Sequence, residues 1–363
     1  MTSRTLVLER GLLLESGVRL APVEIAYRTW GRLDSAGSNA VLVCHALTGT
    51  ADVDFWWPGL IGKGIVGEAA PLDLRHDFVI ASNVLGGCAG TTGPTSLAPD
   101  GRRWGSRFPR LTIRDQVRCQ RELLRFLGVQ RLRGVIGGSL GGHQALEWLL
   151  LYPGLVDSAI LLSSSGRHSS WCIAASEAQR QAIFTDPRWR DGDYPADDPP
   201  VAGLAAARQM AMWTYRSAPG FAGRFGRQSQ PEGGFRVERY LREQGEKLVR
   251  RFDAASYVVL TRTMDTHDIA RGRGDYAEVL STVRAPVLVV GCVSDVLYPL
   301  DEQRELSQLI PGARLQVLDS PHGHDAFLIE TESVFRAVTE FHRSTSRRAV
   351  PAETASSLLE VAS

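Results

Sequence analysis

The sequence predicts an α/β protein with a mostly parallel central sheet that is flanked by helices and carries an inserted helical unit. Short apolar segments alternate with segments of helical periodicity up to about residue 164. Strand patterns then disappear until about residue 283, where apolar strands resume. Alternation of strands and helices is typical of a parallel sheet, because each parallel strand needs a crossover connection. The interruption predicts a helical insertion between two strands.

The segment 132–162 shows the pattern most clearly. Leu132–Ile136 is short and apolar, as a buried strand should be. His143–Leu151 has apolar residues at helical spacing and stops before Pro153, and the apolar strand Ser158–Leu162 follows. This order predicts a strand–helix–strand unit of a parallel sheet.

The turn inside this unit, residues 137–142, contains Gly-x-Ser-x-Gly around Ser139. In a nucleophile elbow the serine sits on a tight strand-to-helix turn with its hydroxyl exposed, and glycines allow the crowded backbone. A glycine-rich turn with an idle serine is the alternative. The strand before the turn and the helix after it favour a nucleophilic Ser139.

A nucleophilic serine needs a base, and the base needs an orienting acid. Asp295 comes just after the apolar strand Ala285–Gly291, and His324 lies in the loop after Arg314–Leu318. Loops that follow parallel strands meet at one edge of the sheet. We therefore expect Ser139, Asp295 and His324 to converge as a catalytic triad.

Residues of the same types in these loops compete for the two roles: His322 with His324, and Asp301 or Asp319 with Asp295. Asp301 is predicted to be the N-cap of a helix Glu302–Leu309. A solvated surface position is expected for three other histidines: His76, His168 and His342.

An acyl-transfer site also needs donors for the oxyanion. The backbone N–H of Leu140 is the expected first donor, because it follows the nucleophile. The second is expected from His45–Gly49, the loop after the apolar strand Ala40–Cys44. Leu47 is our choice there, and Ala46 is the alternative.

These motifs resemble the homoserine O-acetyltransferases, an acyl-CoA-dependent branch of the α/β-hydrolase superfamily. The resemblance runs from about residue 10 to about residue 340. The residues that carry it lie in the segments 45–49, 83–94, 137–148, 207–208 with 214–216, 252–274, 294–299 and 323–328. It implies the α/β-hydrolase fold and a triad of Ser139, Asp295 and His324.

The resemblance also implies an amino-acid pocket formed by Arg208, Asp325 and Tyr215. Arg208 suits a substrate carboxylate and Asp325 an ammonium. The implied reaction transfers an acetyl group from acetyl-CoA to the γ-hydroxyl of L-homoserine in a ping-pong mechanism, within methionine biosynthesis. Acetyl-CoA is then a co-substrate, no cofactor is tightly bound, and the enzyme is a homodimer that associates through its lid.

Two departures from the family pattern keep related activities open. His143 stands where methionine is more usual, and the lid begins with the unusual segment Ser163–Ala174. Serine as acceptor or succinyl-CoA as donor therefore remain alternatives. A simple esterase and a catalytically inactive binding scaffold are further hypotheses for the function.

Composition excludes several other classes. The net charge of +1 gives no general bias toward nucleic acid or membrane surfaces. Five cysteines without Cys-x-x-Cys spacing indicate a reduced, cytoplasmic protein, and we find no signal peptide or metal-ligand spacing.

Six arginines are predicted to form a solvated basic face or to attract the phosphates of CoA: Arg102, Arg103, Arg107, Arg110, Arg114 and Arg118.

The predicted domains are a core first part (1–166), a helical lid (167–275), a core second part (276–345) and a flexible tail (346–363). Within the lid, helices are expected at Ser176–Phe184, Val201–Tyr215 and Val237–Asp253, with a glycine-rich loop at Ala218–Gly234. Tyr257–Asp268 is predicted to be the last helix of the lid, and Ser333–His342 the last helix of the core.

Overall fold

An eight-stranded sheet forms the centre of the protein in the computed structural model, which describes residues 3–62 and 70–348. In spatial order its strands are β1 (Arg4–Leu8), β4 (Val23–Trp30), β6 (Phe78–Ser82), β5 (Ala40–Cys44), β7 (Leu132–Gly138), β8 (Ala159–Leu162), β9 (Val287–Cys292) and β10 (Arg314–Leu318). From β6 to β10 all neighbours are parallel, whereas β4 is antiparallel to both β6 and β1. The predicted fold class, a mostly parallel sheet flanked by helices, is confirmed.

The strands are β1 Arg4–Leu8, β2 Leu12–Leu13, β3 Arg19–Leu20, β4 Val23–Trp30, β5 Ala40–Cys44, β6 Phe78–Ser82, β7 Leu132–Gly138, β8 Ala159–Leu162, β9 Val287–Cys292 and β10 Arg314–Leu318. The helices are α1 Val53–Trp56, α2 Ile113–Phe126, α3 Leu140–Leu151, α4 Ser170–Phe184, α5 Val201–Tyr215, α6 Ala218–Phe225, α7 Arg236–Val249, α8 Ala254–Asp265, α9 Tyr276–Ser281, α10 Leu300–Leu309, α11 Ala326–Ile329 and α12 Thr331–Arg348.

Both faces of the sheet are covered, as the apolar character of its central strands requires. Successive residues of a strand point to opposite faces. Val287 and Val289 of β9 accordingly join the core on the side of α2 and α3, while Leu288 and Val290 join the core beneath α12. The sheet edge that carries the loops after β5, β7, β9 and β10 is thereby fixed between two layers of helices.

The chain leaves the sheet after β8 and returns at β9, and helices α4 to α8 lie in between. This helical insertion packs on the core through a shared apolar cluster. Leu47 and Leu140 of the core contact a cluster with Leu204 and Tyr257 of the insertion. The lid boundaries 167–275 remain a prediction, and α4 to α8 lie inside them.

Side-chain caps account for several helix ends that the periodicity placed wrongly. Helix α4 begins at Ser170, six residues before the predicted start at Ser176, because the Ser169 hydroxyl caps it by accepting the N–H of Cys172. Asp253 caps α8 in the same way, so that helix starts at Ala254 and ends at Asp265. The predicted loop Ala218–Gly234 contains helix α6, which Ser217 caps.

Two other predictions at helix ends were wrong. The N-cap of α10 is Pro299 and not Asp301, which lies inside the first turn and pairs with Arg304 at 2.8 Å. The last helix, α12, is longer than predicted. The predicted tail, 346–363, overlaps its end, and residues 349–363 lie outside the described part of the chain. Within the described ranges, none of the helices has the length and apolarity needed to span a membrane.

A buried ion network ties the N-terminal segment, α2, α3 and the segment after α8 together. Glu147 of α3 is 1% exposed and accepts hydrogen bonds from Arg114 at 3.2 Å and from Arg273 at 2.6 Å. Arg114 also donates to Glu15 at 2.9 Å. Arg114 is therefore not part of the solvated basic face that the sequence predicted, because its charge is satisfied inside the protein.

Replacing Glu147 with glutamine should lower the free energy of unfolding by about 3 kcal/mol, because Arg273 loses its counter-charge and Arg114 keeps only that of Glu15. Urea denaturation followed by circular dichroism measures the change. Glu340→Gln, on the exposed face of α12, is the matched control and should shift the midpoint little. Equal midpoints for the two variants would contradict a stabilising role for the network.

Candidate active site

Ser139 occupies the junction of β7 and α3 in a strained backbone conformation, with φ 56° and ψ −122°. Its N–H donates to Leu162 O of β8 at 2.9 Å, which fixes the turn to the sheet. The glycines are sterically required: a Cβ at Gly137 would lie 2.0 Å from Gly141 O, and one at Gly141 would lie 2.1 Å from Cys44 O. These features are those of a nucleophile elbow.

Asp295 and His324 meet at the same edge of the sheet, after β9 and β10. His324 Nδ1 lies 2.9 Å from Asp295 Oδ2, and both side chains are buried. The other carboxylate oxygen of Asp295 accepts the N–H groups of Leu297 and Tyr298, each at 2.9 Å. Because Nδ1 is engaged, Nε2 is the ring nitrogen that remains for Ser139.

The competing residues have other surroundings. The side chain of His322 is 39% exposed, and its Nε2 lies 3.9 Å from Glu330. Asp301 is exposed on α10. The structure therefore pairs His324, and not His322, with Asp295.

Charge and burial oppose each other at His324. Burial lowers the pKa of His324, but the charge and hydrogen bond of Asp295 outweigh it, so the pKa is raised above its ordinary value. An imidazole in this state is a stronger base toward a serine hydroxyl than an isolated buried one.

Aromatic rings surround the His324 imidazole. Tyr298 lies 5.3 Å away between ring centroids, Tyr215 5.7 Å and Phe327 5.9 Å, the last edge-on. Phe327 also contacts the elbow, since a Cβ at Gly138 would lie 2.4 Å from its ring. This packing connects the His324 loop to the turn that carries Ser139.

The two expected oxyanion donors lie on segments that contact each other. Leu140 is the first residue of α3, where backbone N–H groups lack helical partners. The loop with Leu47 packs on it, and both side chains are buried in one cluster. His45 shapes this loop, with Nδ1 2.8 Å from Ala46 O and Nε2 accepting the N–H of Val84 at 3.2 Å. The roles of Leu47 and Leu140 remain predictions.

The residues expected to bind the amino acid lie beside the imidazole. The Arg208 guanidinium carbon is 5.2 Å from the Tyr215 ring centroid, and Tyr215 in turn contacts His324. Among the described residues, the buried Nη1 of Arg208 has no hydrogen-bond partner. Burial raises the pKa of Asp325, although Arg216, His324 and Arg208 oppose the shift.

The ion-pair partner of Asp325 was not predicted from the sequence. Arg216 Nε lies 3.2 Å from Asp325 Oδ2. The position of Arg216 directly after Tyr215 was the available signal, but a sequence cannot say which of two neighbouring arginines faces a carboxylate.

The sequence also missed a group of buried histidines behind the triad. His168 was predicted to be at the surface, but it is buried, as is His342 near the end of the chain. His168 Nδ1 lies 3.0 Å from the Tyr298 hydroxyl. His143 is buried and stacks on His267 with ring centroids 4.0 Å apart. In the described part of the chain, no three histidine, cysteine or acidic side chains are grouped so that they could hold a metal ion.

Comparison with known proteins agrees with this architecture. The family model described as the alpha/beta hydrolase fold matches residues 39–331. The protein is thus an α/β hydrolase-fold protein whose serine elbow, histidine and aspartate follow the strands expected of that fold.

Relatives of higher similarity define the family more narrowly. The homoserine O-acetyltransferase of Chlorobaculum tepidum is 54% identical over 333 residues, which cover 92% of each chain. The crystal structure of homoserine O-acetyltransferase from Bacillus anthracis superposes with a TM-score of 0.86 at 27% identity, over 94% of this chain and 97% of that chain. Esterase E22 superposes with a TM-score of 0.85 at 25% identity, over 94% and 99%. The chain belongs to the homoserine O-acetyltransferase family and is an acyltransferase.

Replacing Asp295 with asparagine should slow the reaction of Ser139 with a fluorophosphonate probe and move its pH profile. In serine enzymes of this type the acid-to-amide change costs roughly 10⁴-fold in turnover. Because Asp295 raises the pKa of His324, its loss should lower that pKa, so the acid limb of the profile moves to lower pH. Labelling rates between pH 5 and 9 measure both effects, with Ser139→Ala as the unlabelled control. An unmoved acid limb would contradict the pairing.

Proposed function

We propose that the protein transfers an acetyl group from acetyl-CoA to the γ-hydroxyl of L-homoserine, giving O-acetyl-L-homoserine. Membership of the homoserine O-acetyltransferase family supports the reaction class. The observation that carries the choice of acceptor is Arg208. A buried guanidinium nitrogen without a partner among the described residues is costly, and a substrate carboxylate beside the catalytic base relieves that cost.

In the first half-reaction, His324 Nε2 takes the proton of Ser139 as the hydroxyl oxygen attacks the thioester carbonyl. The N–H groups of Leu140 and Leu47 stabilise the developing oxyanion. The carbon–sulfur bond then breaks, and the departing sulfur takes the proton from His324. CoA leaves as a thiol, and the acetyl group remains as an ester on Ser139.

In the second half-reaction, L-homoserine binds with its carboxylate at Arg208 and its ammonium at Asp325. The Tyr215 ring lies between Arg208 and the imidazole, so it lines the path of the amino acid. His324 takes the proton of the γ-hydroxyl, whose oxygen attacks the acetyl carbon. The bond to Ser139 breaks, and the serine oxygen recovers its proton from His324. Positioning of this acceptor is what favours transfer over attack by water.

We place the reaction in the cytoplasm and in methionine biosynthesis. All five cysteines are free, and Cys44, Cys119, Cys172 and Cys292 are buried, which suits a reducing compartment. The proposed chemistry uses the protein's own side chains and needs no tightly bound cofactor. Acetyl-CoA acts only as a co-substrate.

We also propose that two copies associate through the helical insertion. A cavity of about 890 Å³ opens between α4, α5, α6 and α7, and its lining is mainly apolar. Trp213 at its rim is 74% exposed and Trp171 is 56% exposed. Large exposed aromatic side chains around one groove are typical of an interface, and the family resemblance favours a second copy as the occupant.

A hydrolase is the second candidate, because esterase E22 and an acetylester hydrolase from Corynebacterium glutamicum share the fold at 25% identity. Ser139, His324 and Asp295 would serve either reaction. Whether the acyl group passes to an amino acid or to water therefore distinguishes a transferase from a hydrolase, and this difference can be tested directly.

Release of free thiol from acetyl-CoA should depend on L-homoserine and exceed the rate with L-serine or without an amino acid. Succinyl-CoA serves as the competing donor, and Ser139→Ala corrects for the protein's own thiols. Preference for serine or for succinyl-CoA would overturn the substrate assignment and keep the mechanism. Thiol release indifferent to either amino acid would identify a hydrolase.

Arg208→Gln should raise the KM for L-homoserine by at least about tenfold, the cost of a lost hydrogen bond between charged groups. The rate of Ser139 acylation by acetyl-CoA should stay near that of the wild type, because Arg208 acts only on the acceptor. Arg242→Gln, at an exposed position of α7, is the control. An unchanged homoserine KM in Arg208→Gln would remove this residue from the pocket.

Trp213→Glu should convert the dimer to a monomer, because it places a charge within an apolar contact. Light scattering coupled to gel filtration measures the mass. Phe55→Glu, at a position that is 85% exposed on α1, introduces the same charge outside the insertion and should leave the dimer intact. A wild-type protein with the mass of one chain would contradict the dimer proposal.

A further inference from the structure

Tyr298 makes contacts with both partners of the Asp295–His324 pair. Its backbone N–H donates to Asp295 Oδ1 at 2.9 Å. Its ring lies against the His324 imidazole, with centroids 5.3 Å apart and planes inclined by 35°. One residue thus holds the acid through its main chain and covers the base with its side chain.

The hydroxyl of Tyr298 is held in turn by His168, which lies between β8 and α4. The distance from Tyr298 Oη to His168 Nδ1 is 3.0 Å. On the other side of the ring, His168 Nε2 faces Asp265 Oδ1 at 3.7 Å. His168 Nδ1 and the tyrosine hydroxyl share one hydrogen bond, whereas the 3.7 Å separation from Asp265 is an electrostatic contact and too long for a hydrogen bond.

Asp265 is itself fixed, because Arg180 of α4 contacts its other oxygen at 2.7 Å. His168 is also anchored through its main chain, since its N–H donates to His267 O at 2.8 Å. The Tyr298 hydroxyl is therefore bonded to a histidine whose position is set by two helices of the insertion, α4 and α8.

His143 fills the remaining side of this arrangement. Its ring stacks on His267 and meets Tyr298 and His168 edge-on, at 5.5 and 5.9 Å. Neither ring nitrogen of His143 has a hydrogen-bond partner within the described residues. Burial, with His267 and His168 nearby, lowers the pKa of His143 well below its ordinary value. The His143 ring thus packs behind Tyr298 through ring contacts.

We propose that Tyr298 is a positioning residue for the catalytic base: its ring holds the His324 imidazole in the plane that directs Nε2 to Ser139, and His168 holds that ring. The titratable groups facing Tyr298 come from α3, the insertion, the segment from β9 to α10 and the loop after β10: His143, His168, Cys172, Tyr215, Asp295, Glu302 and His324. The role concerns the reactivity of Ser139, so it rests on the proposed triad and not on the identity of the acyl acceptor.

This role predicts an ordered series of effects. Tyr298→Phe keeps the ring and loses only the bond to His168, so the rate of Ser139 labelling by a fluorophosphonate should fall by about threefold. Tyr298→Leu removes the ring, and labelling should fall by at least roughly 30-fold, because small misplacements of a catalytic group cost up to about 100-fold. The acid limb of the Tyr298→Leu profile should move to lower pH, because a displaced imidazole loses part of its bond to Asp295.

A double-mutant cycle tests the link to His168. If the two residues act through their hydrogen bond, Tyr298→Phe combined with His168→Gln should react no more slowly than His168→Gln alone. Phe341→Leu, in the core under α12, is the control for general loss of a buried aromatic ring and should label at the wild-type rate. Circular dichroism of each variant shows whether it is folded.

The fluorophosphonate assay contains neither acetyl-CoA nor homoserine, so its result stands whatever the natural substrates are. A Tyr298→Leu protein that is folded and labels at the wild-type rate with an unmoved pH profile would overturn the proposal. Additive losses in the double mutant would overturn the part assigned to His168. Should the Leu variant not fold, the Phe variant and the cycle decide the question on their own.

Discussion

The hydrogen bond between Asp295 and His324 is the interaction on which the site depends. It fixes which imidazole nitrogen is left for the serine, and it raises the pKa of an imidazole that burial would otherwise keep neutral and weakly basic. The aspartate can perform this task because two backbone N–H groups, those of Leu297 and Tyr298, hold its second oxygen. The turn after β9 thereby positions a charge inside the protein.

The helical insertion takes part in the site as well as covering it. It places Arg208 against Tyr215 and Tyr215 against the His324 imidazole, and it contacts Tyr298 through His168. Shared apolar packing with Leu47 and Leu140 joins it to the loops expected to form the oxyanion hole. A transferase needs such coupling, because the acceptor must be in place while water is kept away from the acyl-serine.

The alternation of strands and helices along the chain and the elbow could be predicted from sequence, because both depend on local patterns. Apolar runs mark buried strands, and the glycines beside Ser139 are required by contacts shorter than a Cβ allows. Helix ends were less predictable where a cap such as Ser169 or Asp253 decided them. The buried state of His168 and the pairing of Asp325 with Arg216 depend on contacts between distant segments, which no periodicity encodes.

Detection of the acyl-enzyme is the most direct test of the proposed mechanism. Intact-protein mass spectrometry after mixing with acetyl-CoA, in the absence of an amino acid, should show one added acetyl group, and peptide mapping should place it on Ser139. Addition of L-homoserine should then remove the group and yield O-acetyl-L-homoserine. An enzyme that turns over both substrates without acquiring the acetyl group, or that carries it on another residue, would contradict the proposed mechanism.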